Sequence, residues 1–170
     1  AMEKAIQMDV MLHAYMFMQS GIPVLYSGDE MGQVYDYSYK EDPDKAEDSR
    51  YIHRGAMRWD LAENITDPET VEGKMFQRLN RLEEIRKSEK VFVTNANVWT
   101  VETWEQGVLC IGRYFEGEKL FGLFNFSEYD KIAWINEIDG NYVDLISGEA
   151  IQPAGVHIQP FGFYYLKRQA

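Results

Sequence analysis

The apolar positions change period three times along the chain. Between residues 2 and 19, Ile6, Met8, Val10, Met11, Leu12, Ala14, Tyr15, Phe17 and Met18 cover nearly every face of a helix. A helix that is apolar all round is built for burial inside a larger assembly. Gly21 supplies its stop. The run Ile22-Pro23-Val24-Leu25-Tyr26 is then continuously apolar, which predicts a short strand buried on both faces, as in a parallel sheet. Helix, turn, buried strand and polar loop make half of an α/β repeat. Residues 28–66 carry little periodicity, and a structureless stretch of that length is a functional loop or a disordered one. Helical spacing returns at 68–89, where Met75, Phe76, Leu79, Leu82 and Ile85 form one stripe. Thr66 or Asp67 can cap this helix, with Pro68 at its first position.

Beyond residue 90 the pattern becomes β. Strands are predicted near 98–104, 108–115, 119–126, 131–136, 141–146 and 161–167. Glu116-Gly117-Glu118, Asp139-Gly140-Asn141 and Ser147-Gly148-Glu149 serve as turns between them. Short strands at this spacing predict an antiparallel sheet or small sandwich. A boundary near 88–91 therefore separates two domains, 1–90 and 91–170. A lone parallel strand has no neighbours to pair with here, and Ala1-Met2 has the form of a cloning scar. Both features lead us to expect a piece of a longer protein.

Composition narrows the classes. Of 170 residues, 45% are apolar and 26% charged, the balance of a globular chain rather than a disordered or fibrous one. Net charge is −11, which leaves no electrostatic footprint for nucleic acid or an anionic membrane surface. The apolar runs fall well short of the roughly 18–20 residues of a membrane span. The single cysteine, Cys110, excludes a disulfide within the chain or a cysteine metal cage, and leans towards a cytoplasmic location.

Four groups of residues could carry chemistry. Tyr26-Ser27-Gly28-Asp29-Glu30 follows the expected strand, where carboxylates sit at the mouth of an α/β barrel; they would contact substrate, or simply cap loop amides. In Asp48-Ser49-Arg50-Tyr51-Ile52-His53-Arg54 two arginines four apart share a face if the segment is helical. They would hold a pocket carboxylate with their planar forks, or form a surface ion pair. The acidic run from Asp36 to Asp48 lacks the glycine and ligand spacing of a calcium loop and reads as solvated. Trp99, Trp104 and Trp134, with Tyr114, Phe121 and Phe163, form either a sugar-stacking platform or core. His13, His53 and His157 show no metal-ligand spacing, and neither metal nor cofactor is expected.

Taken together, these segments carry a resemblance. Gly21 to Gly32, in the order Gly-Ile-Pro-Val-Leu-Tyr-Ser-Gly-Asp-Glu-Met-Gly, resembles the last barrel strand and following loop of the α-amylase family, glycoside hydrolase family 13. Asp48 to Arg54 is similar to a loop of the amylosucrases and related sucrose-processing members. Phe124-Asn125-Phe126-Ser127 resembles a strand of their C-terminal β domain. The likeness runs over roughly residues 5–167.

It implies an α+β chain: the last helix, strand and helix of a (β/α)8 barrel followed by an antiparallel β-sandwich domain. It further implies retaining transfer or hydrolysis of α-glucosyl units of sucrose or α-glucans, by two carboxyl groups about 5–5.5 Å apart. In the family these lie on earlier strands, upstream of Ala1, so no catalytic residue is assigned here and the chain alone is expected to be inactive. Arg50 matches an arginine that pairs with an Asp at the base of the glucosyl subsite, Arg54 is a second candidate, and Asp29 would shape the pocket loop. Arg54-Gly55-Ala56-Met57-Arg58-Trp59 is also similar to the Arg-Thr-Pro-Met-Gln-Trp loop of α-glucosidases and trehalose synthases. Gly55, Ala56 and Arg58 depart from that loop and leave the subfamily open. The β domain would stabilise the barrel or, alternatively, bind glucans through exposed aromatics. Residues 2–27, without the missing barrel portion, are expected to self-associate.

Overall fold

The computed structural model describes every residue except Asn136, Ile138, Asp139, Pro153 and Ala170. The expected end of a strand at Asn136 and the expected turn at Asp139 lie outside the described residues. The chain divides into two compact units, 1–24 with 78–170, and 25–77.

The first unit is built on an antiparallel sheet. Helix α1 (Met2–Met18) precedes it, and helix α2 (Val71–Ser88) enters it from the second unit. The strands are β1 (Asn97–Val101), β2 (Val108–Phe115), β3 (Glu118–Asn125), β4 (Lys131–Ala133), β5 (Tyr142–Asp144), β6 (Ala150–Ile151), β7 (Val156–Ile158) and β8 (Phe163–Arg168). Six pair in the order β1-β2-β3-β8-β5-β6, and β4 pairs with β7 in a separate ribbon. All the pairings are antiparallel.

The large sheet is covered on both faces, which is why β3 is buried along nearly its whole length. Alternation sends Phe121 and Leu123 of β3, Cys110 of β2 and Leu166 of β8 into a core shared with Ala133, Val156 and Ile158 of the small ribbon. The opposite face carries Phe124 and Tyr165 towards α1: the Tyr165 hydroxyl donates to Ala14 O at 2.6 Å, and Tyr15 meets Phe124 edge-on. Gly122 is required there, since a Cβ would lie 3.0 Å from Met18 and closer still to Phe124. Arg113, fully buried, donates to the carbonyls of Val91, Met18, Gln19 and Val93. It thereby ties β2 to the end of α1 and to the chain that follows α2.

Several expectations are corrected. Ile22–Tyr26 is not a strand: no described strand pairs with it, and Ile22 and Val24 are 87% and 75% exposed. An extended run gains the stability of a strand only when a neighbour takes up its backbone groups. One face of α1 is buried, while Met8 and Leu12 on the other are exposed. Helix α2 starts at Val71 and its cap is Thr70, whose hydroxyl accepts the Gly73 amide at 3.0 Å. Asp67 instead accepts the amide of Glu69 in a turn ahead of the helix. The expected strand over 98–104 stops at Val101, before Trp104 turns to φ 56°. The strand expected over 141–146 ends at Asp144, whose carboxylate accepts the amides of Ile146 and Ser147. Strands β6 and β7, two and three residues long, are too short to leave a period in the sequence.

The second unit, 25–77, has no strand. It is a succession of turns and 3-10 helices at 29–31, 38–41, 49–53 and 61–64, ending in the first turns of α2. Of its apolar side chains only Met31 and Met75 are buried.

Candidate functional site

The second unit folds around a cleft of about 150 Å³ lined by Tyr26, Ser27, Asp29, Gln33, Val34, Tyr35, Asp36, Ile52, His53, Arg54, Gly55 and Met57. Gly28 and Gly32, at φ 103° and 63°, turn the chain so that 26–36 doubles back. The Tyr26 amide donates to Asp29 Oδ2 at 3.3 Å and the Gly28 amide to Glu30 Oε2 at 2.9 Å. Both carboxylates therefore cap loop amides, and Asp29 in addition lines the cleft.

The far wall is 52–58, tied across by four hydrogen bonds. The Tyr26 hydroxyl donates to His53 O at 2.6 Å, the Asp36 amide to Ile52 O at 3.1 Å and Gln33 Nε2 to Ala56 O at 3.2 Å. In the fourth, the Arg58 amide donates to Gln33 Oε1 at 3.1 Å. Gly55 is needed at the closest approach, where a Cβ would lie 2.8 Å from that of Asp36. The rings of Tyr35 and His53 meet edge-on, centroids 4.7 Å apart. Hydrogen bonds from Ser38 to the Asp36 carboxylate hold it below its ordinary pKa.

The two arginines of the Asp48–Arg54 segment diverge. A 3-10 helix turns about 120° per residue, so positions four apart do not share a face. Arg50 grips Asp48 with both arms of its fork, Nε at 2.8 Å and Nη2 at 2.7 Å, and its side chain is 71% exposed. Those hydrogen bonds pull Asp48 down to a pKa of about 2. Arg54 lies 5.6 Å from the Tyr51 ring and lines the cleft. The structure thus brings Asp29 and Arg54 to one cleft and leaves Arg50 outside its lining.

The sequence pattern marks neither Gln33 nor Tyr35 for a site, takes Asp36 into a solvated acidic run, and includes His53 in the Asp48–Arg54 segment without giving it a role. Gln33, Tyr35 and Asp36 share one signal, their short path from the Gly28–Gly32 turn. The cleft joins carboxylates, a guanidinium, a phenol and aromatic edges, a set that can accept from, donate to and pack on a hydroxylated ligand.

In the first unit, Phe121 is buried and Phe163 stacks on Phe124. Trp99 lies on Gly112, where a Cβ would be 2.4 Å away, and its indole donates to Glu137. Trp104, Trp134 and Tyr114 are exposed. Burial pushes the Cys110 thiol up to about 12, so it acts as a small apolar side chain. Among the described residues no group of three metal-ligating side chains comes together, and no helix is long and apolar enough to cross a membrane.

No protein-family model matches the chain. Solved structures do share its fold. The maltogenic amylase from S. marinus is 22% identical with a TM-score of 0.65, over 96% of this chain and 19% of that one. The trehalulose synthase MutB from Pseudomonas mesoacidophila is 18% identical with a TM-score of 0.69, over 95% and 38%. A mutant of that enzyme has been solved with its substrate sucrose. AmyP in complex with maltose is 14% identical with a TM-score of 0.74, over 95% and 34%. The chain therefore has the fold of a segment of these enzymes and spans between about a fifth and two fifths of their length.

Proposed function

We propose that the chain is the C-terminal portion of a retaining α-glucosidase or α-glucosyltransferase acting on sucrose or α-glucans. Residues 1–90 would belong to the end of its (β/α)8 barrel and 91–170 to its C-terminal β domain. The observation that carries this reading is the extent of the likeness: almost the whole chain overlays segments of a maltogenic amylase, of a trehalulose synthase solved as a mutant with its substrate sucrose, and of AmyP solved with maltose. The exposure of Ile22 and Val24 supports it, because an apolar run with no strand beside it is what a barrel strand becomes without its neighbours. The catalytic carboxylates lie in the remainder of the parent, and this chain contributes binding and support. Asp29 and Arg54 would line the substrate side of the last barrel loop. Arg50, its fork fixed by Asp48, would orient a glucosyl-binding group from outside the cleft. In isolation, residues 2–27 would pair with a second copy, so light scattering at micromolar concentration should show a species larger than a monomer.

The test is an assay of the full-length parent with sucrose, following glucose, fructose and polymer. Cleavage that collapses in Arg50→Ala supports the amylosucrase-like reading. Turnover of maltose or maltooligosaccharides without sucrose moves the assignment to an α-glucosidase or trehalose synthase. A parent inert towards every α-glucoside overturns the proposal.

A further inference from the structure

We infer that Gln33 is a positioning residue of the cleft: its side-chain amide stands in for a neighbouring strand and sets where the Arg54–Met57 wall meets the substrate. The inference rests on the enzyme reading above, in which that wall faces a glucosyl unit.

The wall does not hold itself. Residues 54–58 belong to no helix or strand, and backbone of that kind needs hydrogen-bond partners from elsewhere. Gln33 supplies them on both sides of one residue. Its Nε2 donates to Ala56 O at 3.2 Å, and its Oε1 accepts the Arg58 amide at 3.1 Å. A parallel strand grips its neighbour in this way, through the carbonyl before one residue and the amide after it. A primary amide can reproduce the pattern because it carries donor and acceptor in one plane. The two partners also fix which way round the amide stands, since the carbonyl needs the nitrogen and the amide needs the oxygen. The residue so bracketed is Met57, which is half-buried and lines the cleft, while Ala56 and Arg58 on either side are exposed.

Gln33 is itself anchored to the opposite wall. Its backbone amide donates to Gly28 O at 3.0 Å, within the Gly28–Gly32 turn. Gly28 is buried against the Gln33 side chain, and a Cβ there would lie 3.0 Å from that of Gln33 and 3.1 Å from its Oε1. The Arg58 guanidinium is drawn off by Asp60, at 2.8 and 2.6 Å, and stays outside the cleft lining. The Tyr26 hydroxyl and the Asp36 amide fasten the far wall at 52–53, and Gln33 fastens it at 56–58.

This tie moves no proton and carries no charge. It acts through Arg54 and Met57, the side chains that would touch the sugar. Contacts to a part of the substrate that does not react appear in KM and leave kcat unchanged.

The test has two arms. In the full-length parent, steady-state kinetics on maltose and on sucrose near neutral pH compare the wild type with Gln33→Met and Gln33→Glu. Methionine keeps the length of the side chain and loses both bonds, whereas an ionised glutamate keeps the acceptor and turns a lone pair on Ala56 O. Both variants should raise KM by about tenfold or more and change kcat by less than about threefold. In the 170-residue chain, the carbonyl carbon of Ala56 is followed by NMR from neutral to acid pH. In Gln33→Glu, protonation near about 4.3 restores a donor, so the signal should return to its wild-type position. In Gln33→Met it should stay displaced throughout. Asp29, Asp36, His53 and Arg54 line the same cleft and Asp60 holds the Arg58 fork, so the wild-type chain over the same range supplies the baseline. A side chain that only filled space would show no such return. A KM within about threefold of wild type in both variants, a kcat that falls as far as kcat/KM, or an Ala56 signal that stays displaced in acidified Gln33→Glu would overturn the inference. An active parent with unchanged KM sinks this inference alone. A parent inert on α-glucosides sinks the enzyme reading, and the Ala56 signal still decides whether Gln33 holds the wall.

Discussion

The two units use their polar residues in opposite ways. In the first, the buried polar side chains reach far along the chain. Arg113 serves carbonyls at 18, 19, 91 and 93, Asn125 donates to those of Tyr129, Ile158 and Gln159, and Asp144 accepts the amide of Tyr165. In the second, Asp36, Asp42, Asp48 and Asp67 each accept the amide two residues on. Burial explains the difference. A polar group inside a packed sheet must find a partner wherever the fold supplies one, whereas an exposed Asp can satisfy its own turn. The first unit should therefore fail as a whole when one buried group is lost, and the second only locally.

The strongest way to break this contrast is Arg113→Ala. Four carbonyls lose their donor at once, and the cavity left behind lies between the sheet and the end of α1. The expected cost is about 4 kcal/mol, read as a fall in the urea midpoint of the whole chain. Arg113→Lys should recover part of it, since an ammonium reaches one or two of the four acceptors. A cost below about 1 kcal/mol would show that these hydrogen bonds add little and that the contrast between units is wrong.

Next in size is Gly73→Ala, in the first turn of α2. A Cβ there would sit 1.8 Å from the backbone oxygen of Asp67, so the turn preceding the helix must move. About 1–3 kcal/mol is expected, although alanine is the better helix former. Thr70→Ala removes the side-chain acceptor for the same Gly73 amide and should cost about 1 kcal/mol. Hydrogen exchange separates these from the Arg113 variant: protection should fall near residues 70–75 and stay unchanged in β2, β3 and β8. Loss of protection in those strands after Thr70→Ala would mean that the second unit is not local in its stability.

The same contrast governs what could be read from the sequence. Strands β2 and β3 were legible because burial on both faces leaves long apolar runs, and the hairpin between them because Glu116-Gly117 takes φ 46° and 88°, a two-residue turn. The stripe of α2 was legible from Met75, Leu79, Leu82 and Ile85. Its true cap was not, because Asp67, Thr66 and Thr70 are all capable residues and only the competing turn at Asp67 decides among them. Ile22–Tyr26 was misread as a buried strand because an apolar run reports what a segment is suited to meet, not whether the partner is present. In the cleft, Asp29 and Arg54 were visible as polar residues at marked positions. The divergence of Arg50 from Arg54 was not, because it depends on 3-10 rather than α spacing, a difference of about 20° per residue that leaves no trace in composition.

The smallest effect expected is also the most specific. In the folded chain Asp48 lies at about 2, against an ordinary 3.8, because Arg50 and its own amide donate to it. A depressed value means that the pair contributes above pH 4 and is lost as pH falls through about 2, the unfolded chain taking up the proton first. The carboxyl carbon of Asp48, followed by NMR, should titrate near 2 in the native chain. In Arg50→Ala the backbone amide remains as the only donor among the described residues, and the midpoint should move back towards 3.8. The pair is open to solvent, so the thermal midpoint at neutral pH should change by no more than about 1 °C. A wild-type midpoint near 3.8 would mean that the fork is not held in solution, and Arg50 would then lose the fixed orientation on which its proposed role in substrate positioning depends. A large thermal shift with a normal titration would say the reverse: that this turn, unlike its neighbours, is stabilised from beyond its own few residues.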